Sequence, residues 1–230
     1  MRIVLIGVVA ALIVAAGVYL IIRPGRQETV AVHPPITPTA TGTADAGITI
    51  PEGFLRGEEL SRRPLDQPEV RWVRTDEPGL PSLLSPCGTQ PGDEAGRAAG
   101  RQMALVAPTL YKIERMVIYR DESAAARAMD GYRDALTRCA RHPEPDGATT
   151  VWIWEPLDIG DEALFLAGQR YEGDRGTHGH HRGVLTRKGR TVLMYVDFGQ
   201  ATTIADRSEV ALYEQAARDM ADKIASAPWS

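Results

Sequence analysis

The chain has 230 residues, with 26 Lys and Arg against 30 Asp and Glu, a formal net charge of −4 and two cysteines. Three of the arginines, Arg2, Arg23 and Arg26, flank an apolar run, so the remainder carries about −7, which argues against nucleic acid and against lying on anionic lipid. No nucleophile elbow, phosphate loop or zinc-protease motif occurs, and the two cysteines fit neither a zinc pattern nor a CxxC redox pair.

The run Ile3 to Ile22 (IVLIGVVAALIVAAGVYLII) contains no charge and no proline. At about 1.5 Å of rise per residue it is long enough for a hydrocarbon core of about 30 Å, and it lacks the polar stripe of a buried soluble helix. It is longer than a secretory apolar core, and Arg23 and Arg26 follow it directly; Thr29-Val30-Ala31, the only passable cleavage site, lies beyond them. Residues 1–26 are therefore expected to be a retained transmembrane anchor. Arginines on both flanks leave its orientation undecided by charge alone. Residues 27–50 (QETVAVHPPITPTATGTADAGITI) are rich in Thr, Pro, Ala and Gly and too poor in large apolar groups to offset their ordering entropy. They read as a disordered tether with an average span of about 27 Å, and the threonines among prolines suit an O-glycosylated stalk.

Residues 51–230 form one predicted domain. Phe54 to Leu60 suits a helical turn and Val70 to Thr75 a short strand; Asp76 to Gly100, dense in Pro and Gly, reads as a long loop carrying Cys87. Strands follow over Arg101 to Ala107 and Leu110 to Arg120, with Ala107-Pro108-Thr109 as the turn between them. In ESAAARAMDGYRDALTRCARHP the apolar positions Ala125, Met129, Tyr132, Leu136 and Cys139 recur at three- and four-residue steps. This predicts an amphipathic helix capped by Asp121 and ended by His142-Pro143. Cys139 falls on its buried stripe, and Cys87 is the partner on offer; a disulfide suits a chain outside the cytoplasm, the alternative being two buried free thiols.

Four more strands are predicted: Thr149 to Glu155, Glu162 to Gln169, Gly183 to Arg187 and Arg190 to Phe198, the last two forming a hairpin through Lys188-Gly189. A terminal amphipathic helix carries Val210, Tyr213, Ala217, Met220 and Ile224, with Asp206 and Glu209 as a capping box and Pro228 as the stop. Strands, helix, strands, helix with short turns gives the fold class α+β: an antiparallel sheet with two amphipathic helices packed on it, preceded by one N-terminal transmembrane helix.

The anchor, the tether, the inward helix cysteine, the block VWIWEPLDIGDEALFL and the hairpin VLTRKGRTVLMYVDF together resemble the actinobacterial extracytoplasmic sensor domains of the mycobacterial kinase PknH type. The resemblance runs from about Gly53 to Ala227 and is most specific at Ile159-Gly160-Asp161-Glu162-Ala163. It implies a non-catalytic sensor or ligand-binding domain of the cell envelope, outside the membrane, with a cleft. The family type carries two disulfides where this chain can make one, and no kinase domain stands before the apolar run.

Trp152 and Trp154 share one strand face and are the candidate ligand-binding residues, able to floor an apolar cleft if a sheet face is left partly open, with core packing as the alternative. His178, His180 and His181, near Glu172 and Asp174, are weak metal candidates, since the glycines of EGDRGTHGHHRG suggest a flexible loop; neither a metal site nor a cofactor is assigned. Asp161 and Glu162 read as solvated turn residues, and Ser82, Ser85 and Ser123 lack a histidine to activate them, so no catalytic residue is named. The expected ligand is a small molecule, lipid or glycan of the envelope. The competing reading is a structural partner of a membrane protein in an envelope assembly.

Overall fold

Two strands that sequence separates by some eighty residues pair at the centre of the molecule, and both are largely buried on both faces. A computed structural model describes residues 48–88, 91, 94–199 and 208–229, all within one compact unit, Ala40–Ser230. The expected anchor and most of the tether lie outside the described residues, among which no helix is long and apolar enough to cross a membrane. The strands are β1 (Arg71–Asp76), β2 (Arg97–Ala107), β3 (Leu110–Tyr119), β4 (Arg141–Pro143), β5 (Thr149–Leu157), β6 (Glu162–Glu172), β7 (Arg175–Lys188) and β8 (Thr191–Gly199). The helices are α1 (Arg56–Leu60), α2 (Glu122–Arg138) and α3 (Ser208–Ala225). One fully antiparallel sheet runs β1-β2-β3-β8-β7-β6-β5-β4.

The long helices cover opposite faces of this sheet. Ala124, Ala125, Ala128, Met129, Tyr132 and Leu136 of α2 pack on Val117 and Tyr119 of β3, Leu164 and Leu166 of β6, Leu185 of β7, and Val192, Met194 and Val196 of β8. The alternate residues Met116 and Ile118, Ala163, Val184, Leu193 and Tyr195 meet Ala216, Ala217, Met220, Ala221 and Ile224 of α3. A strand with a helix on each side is buried on both faces, so β3 and β8 are mostly apolar, and the charges they carry, Glu114, Arg115 and Asp197, are buried with partners. The two strands-then-helix halves are not a rotational repeat. A two-fold axis normal to the sheet, the rotation that relates neighbouring antiparallel strands, would leave both helices on one face.

Asp121 accepts a hydrogen bond from Ala124 N (2.7 Å) and caps α2 as its sequence suggests. The helix ends at Arg138, earlier than expected: Cys139 is the cap residue, and Arg141–Pro143 turns back as β4. Cys139 is disulfide-bonded to Cys87 with a Cα–Cα separation of 5.7 Å. The segment around Cys87 is a packed cover for the α2 face rather than a simple loop. Leu80 and Leu84 are buried, Ser82 Oγ lies 2.9 Å from Tyr132 Oη, and Arg115 donates to Pro81 O. The Pro- and Gly-rich stretch also ends sooner than its composition suggests, because β2 already starts at Arg97 opposite Tyr119.

A larger correction concerns EGDRGTHGHHRG. It is not a loop: Gly173 makes a tight turn and β7 runs from Arg175 to Lys188, so His178, His180 and His181 are strand residues. Pairing with both β6 and β8 overrides the weak strand tendency of glycine, since strand preference is set by neighbours more than by backbone. The β7–β8 connection is Gly189-Arg190, one residue later than the sequence pattern suggests. Glu209 of the expected capping box lies in α3, and Asp206 lies outside the described residues.

Candidate functional site

The tryptophan pair is split by burial. On β5 both rings point to the α2 face, as alternation requires. Trp152, 7% exposed, lies flat on Gly168, where a Cβ would come within 2.8 Å of its ring; glycine is needed for that close approach. His181 covers the ring from β7 at 5.3 Å between centroids, and Phe198 of β8 meets His181 edge-on at 4.8 Å. Trp152 is therefore core and cannot floor an open cleft. Trp154 is 36% exposed and Ile153, on the other face, 46%. Both sit where β5 has no outer strand among the described residues, because β4 reaches only to Arg141 opposite Val151. The helices' opposite placement closes the sheet face on which a cleft was expected.

Adjacent strand positions face opposite ways, so His180 and His181 lie on different sides of the sheet and cannot share one ion. No cluster of three or more His, Cys, Asp or Glu suited to a metal occurs among the described residues. His181 keeps Nδ1 sealed from solvent without a hydrogen-bond partner among the described residues. Burial first, then the neighbouring His180, lowers its pKa from 6.5 to about 4, while Asp197 opposes the shift. His180 belongs to a network on the α3 face. Its Nε2 lies 3.1 Å from Oδ1 of the fully buried Asp197, which also accepts from Arg182 Nε at 3.0 and 3.2 Å and from Tyr213 Oη at 2.8 Å. Burial, and then that carboxylate, pushes the Tyr213 phenol well above its ordinary range. An ionised side chain inside a sheet persists only with such partners.

Further along the same face, buried Glu114 of β3 accepts from Tyr195 Oη (2.6 Å), Gly57 N (2.5 Å) and Arg56 N (3.1 Å), so it satisfies the free amides of α1. Burial raises its pKa against the pull of these donors. Gly57 lets α1 lie directly on β2, since a Cβ there would come within 2.6 Å of Met103 Cβ. Between α1 and the edge strand β1 this leaves a cleft of about 310 Å³, lined by Glu52, Glu58, Ser61, Arg62, Trp72, Arg74 and Met103.

Glu58 and Arg74 of the cleft are held by ion pairs. Trp72, Arg74 and Asp76 pair with Leu105, Met103 and Arg101 and share their face. Arg74 donates to Glu52 at 2.5 and 2.7 Å and to Asp76 at 2.5 Å, and lies 3.1 Å from Glu58. These bonds, Glu52 first, raise the guanidinium pKa further, and the one from Arg74 lowers that of Glu52. Beneath them Arg101 reaches Glu58 (3.2 Å), Asp76, Ile50 O (2.9 Å) and Pro51 O (2.7 Å). Asp76 stays below the usual carboxylate range despite burial, through Arg74 and Arg101.

Asp161 and Glu162 carry a structural charge. Asp161 accepts from Gly189 N (2.6 Å), Lys188 Nζ (2.8 Å) and Arg187 Nη1 (3.2 Å), and Glu162 from Arg187 Nε (2.6 Å) and Arg133. They hold the β7–β8 turn, and Arg133 ties α2 to β6. The motif that carries the family resemblance is thus a hairpin clamp. Sequence reasoning missed the cleft, whose members lie up to fifty residues apart. It also passed over Asp197, Glu114 and Arg115, although a charge inside a both-faces-apolar strand signals a buried partner.

No protein-family model matches the sequence, and no curated protein matches it. Among solved structures, the chain is similar to the crystal structure of the extracellular domain of PknH from Mycobacterium tuberculosis, with a TM-score of 0.46 and 11% identity over 69% of this chain and 86% of that one. A likeness of that size leaves this chain's function to be argued from its own residues.

Proposed function

We propose that the chain is a membrane-anchored, extracytoplasmic, non-catalytic ligand-binding or sensor domain whose site is the cleft between α1 and β1. The observation that carries this reading is the cleft itself: a concavity of about 310 Å³ with an aromatic wall and side chains fixed by ion pairs, at the small end of the usual range for ligand sites, roughly 300 to 1,000 Å³. The other chemistry-bearing groups, His180, Asp197, Tyr213 and Glu114, are engaged with one another or with backbone. The Cys87–Cys139 disulfide supports an oxidising compartment, and the apolar run Ile3 to Ile22 supports an anchor.

The test is thermal-shift and native mass spectrometry of the full chain in mild detergent, screened against envelope lipids and glycans, together with protease protection of intact cells. Stabilisation by one ligand class and digestion from outside are expected; protection of the domain in intact cells defeats the outside placement. A second reading, a structural partner in an envelope assembly, is favoured by the exposed Ile153 and Trp154 on β5 beyond the end of β4, where no outer strand lies among the described residues. Silence in the ligand screen, with crosslinking of a membrane protein to β5, selects it.

A further inference from the structure

We infer that the cleft between α1 and β1 is a saccharide site, with Trp72 as the stacking wall and Glu52, Glu58, Arg62 and Arg74 as the hydroxyl-reading rim. The inference rests on the reading of this cleft as the binding site and names the ligand class. A sugar ring has an apolar C–H face and a rim of hydroxyls, each both donor and acceptor. The cleft offers the complement: one indole, one thioether from Met103, and a mixed border of acceptors and donors. Two carboxylates face two guanidinium groups there, so the lining carries no net charge to select an ion. An acyl chain finds only two apolar residues among seven, and a phosphate would face the carboxylates of Glu52 and Glu58 beside Arg74.

Rigidity adds to the match. Glu58 is 5% exposed and fixed by Leu55 N (2.9 Å), Arg101 and Arg74, and Glu52 and Asp76 hold Arg74 from either side. Neither side chain gives up much rotamer freedom on binding, the main cost of reading hydroxyls with long side chains. Ser61 Oγ donates to Glu58 O (2.8 Å), which leaves its lone pairs free to accept. Arg62 is exposed at the mouth, placed to distinguish an acid-bearing sugar from a neutral one.

The test uses the full chain in detergent with four probes: chitotriose, maltotriose, the N-acetylglucosaminyl-N-acetylmuramic acid disaccharide and dihexanoyl phosphatidylglycerol. Calorimetry gives affinity, and hydrogen exchange locates binding. At least one saccharide is expected to bind with a Kd of about 1 mM or tighter and to protect residues 52–62 and 71–76. Trp72→Ala should weaken it at least tenfold. Because Trp72 also packs on the core, Arg62→Ala provides a variant with no core contact, expected to lower affinity for the acidic disaccharide severalfold more than for the neutral sugars. Protection of these segments by the phospholipid and by no saccharide overturns the sugar assignment and leaves the binding-domain reading standing. No protection by any probe, or equal binding by a folded Trp72→Ala variant, overturns the site.

Discussion

The two faces of the sheet are filled by different chemistry. Under α2 the packing is mostly apolar: small alanines bring the helix close to valines and leucines of β3, β6, β7 and β8, a disulfide and a Pro-rich cover seal the edge, and the buried Arg115 at its margin is held by Gln102 and Pro81 O. Under α1 and α3 the same strands carry Glu114, Asp197, His180, Arg182 and Arg101, each buried and each paired. An apolar face needs only matching volumes, whereas a face with charges needs every partner in place. The charged face also opens into the cleft between α1 and β1, since side chains fixed by ion pairs can border water without collapsing into it.

This contrast predicts different responses to damage. The largest effect belongs to the staple of the apolar face. Closing the loop between Cys87 and Cys139, 52 residues apart in sequence, is worth about 4 kcal/mol in the chain-entropy model. The double variant Cys87→Ser, Cys139→Ser should lose that amount in denaturant unfolding; an unshifted midpoint would mean that packing alone holds the cover. On the charged face, Asp197→Asn removes the carboxylate that His180, Arg182 and Tyr213 share and should cost about 3 kcal/mol, more than a change such as Val196→Ala on the opposite side of the strand. Equal losses would erase the distinction between the faces.

The aromatic seam on the α2 face sharpens the comparison through pH. The folded protein keeps His181 neutral down to about pH 4, while the unfolded chain takes up the proton near 6.5. Stability is therefore full above pH 6.5 and falls as pH drops from 6.5 towards 4. The loss is about 2 kcal/mol after allowance for the partly exposed ring. His181→Phe should flatten this slope in unfolding curves taken across that range; an unchanged slope would assign it to other groups. Smallest is the hairpin clamp. Asp161→Ala removes acceptors for Gly189 N and Lys188, and at a partly exposed turn this should cost about 1 kcal/mol. Faster hydrogen exchange at residues 187–191, with little change elsewhere, is the accompanying signature.

Much of the architecture is legible in the residues. The apolar runs of β3 and β8, the 3.6-residue stripes of α2 and α3, the Asp121 cap and the placement of Cys139 each follow from local pattern, which survives folding because it depends on neighbours along the chain. The β7 histidines show where this stops. Glycines and imidazoles have little strand preference of their own, and only pairing with β6, joined from His180 onward by β8, makes them a strand.

The sequence by itself determined most of the elements and their order, missing β4 and the first half of β7, together with the available cysteine pair and the α+β class, because each depends on spacing along the chain. Tertiary structure alone decided that the long helices take opposite faces, that Trp152 is core while Trp154 is edge, and that Glu52, Glu58, Arg62, Trp72 and Arg74 converge. Which side of a sheet a crossing helix takes, and which distant charges meet beneath it, are properties of packing in three dimensions, and no periodicity encodes them.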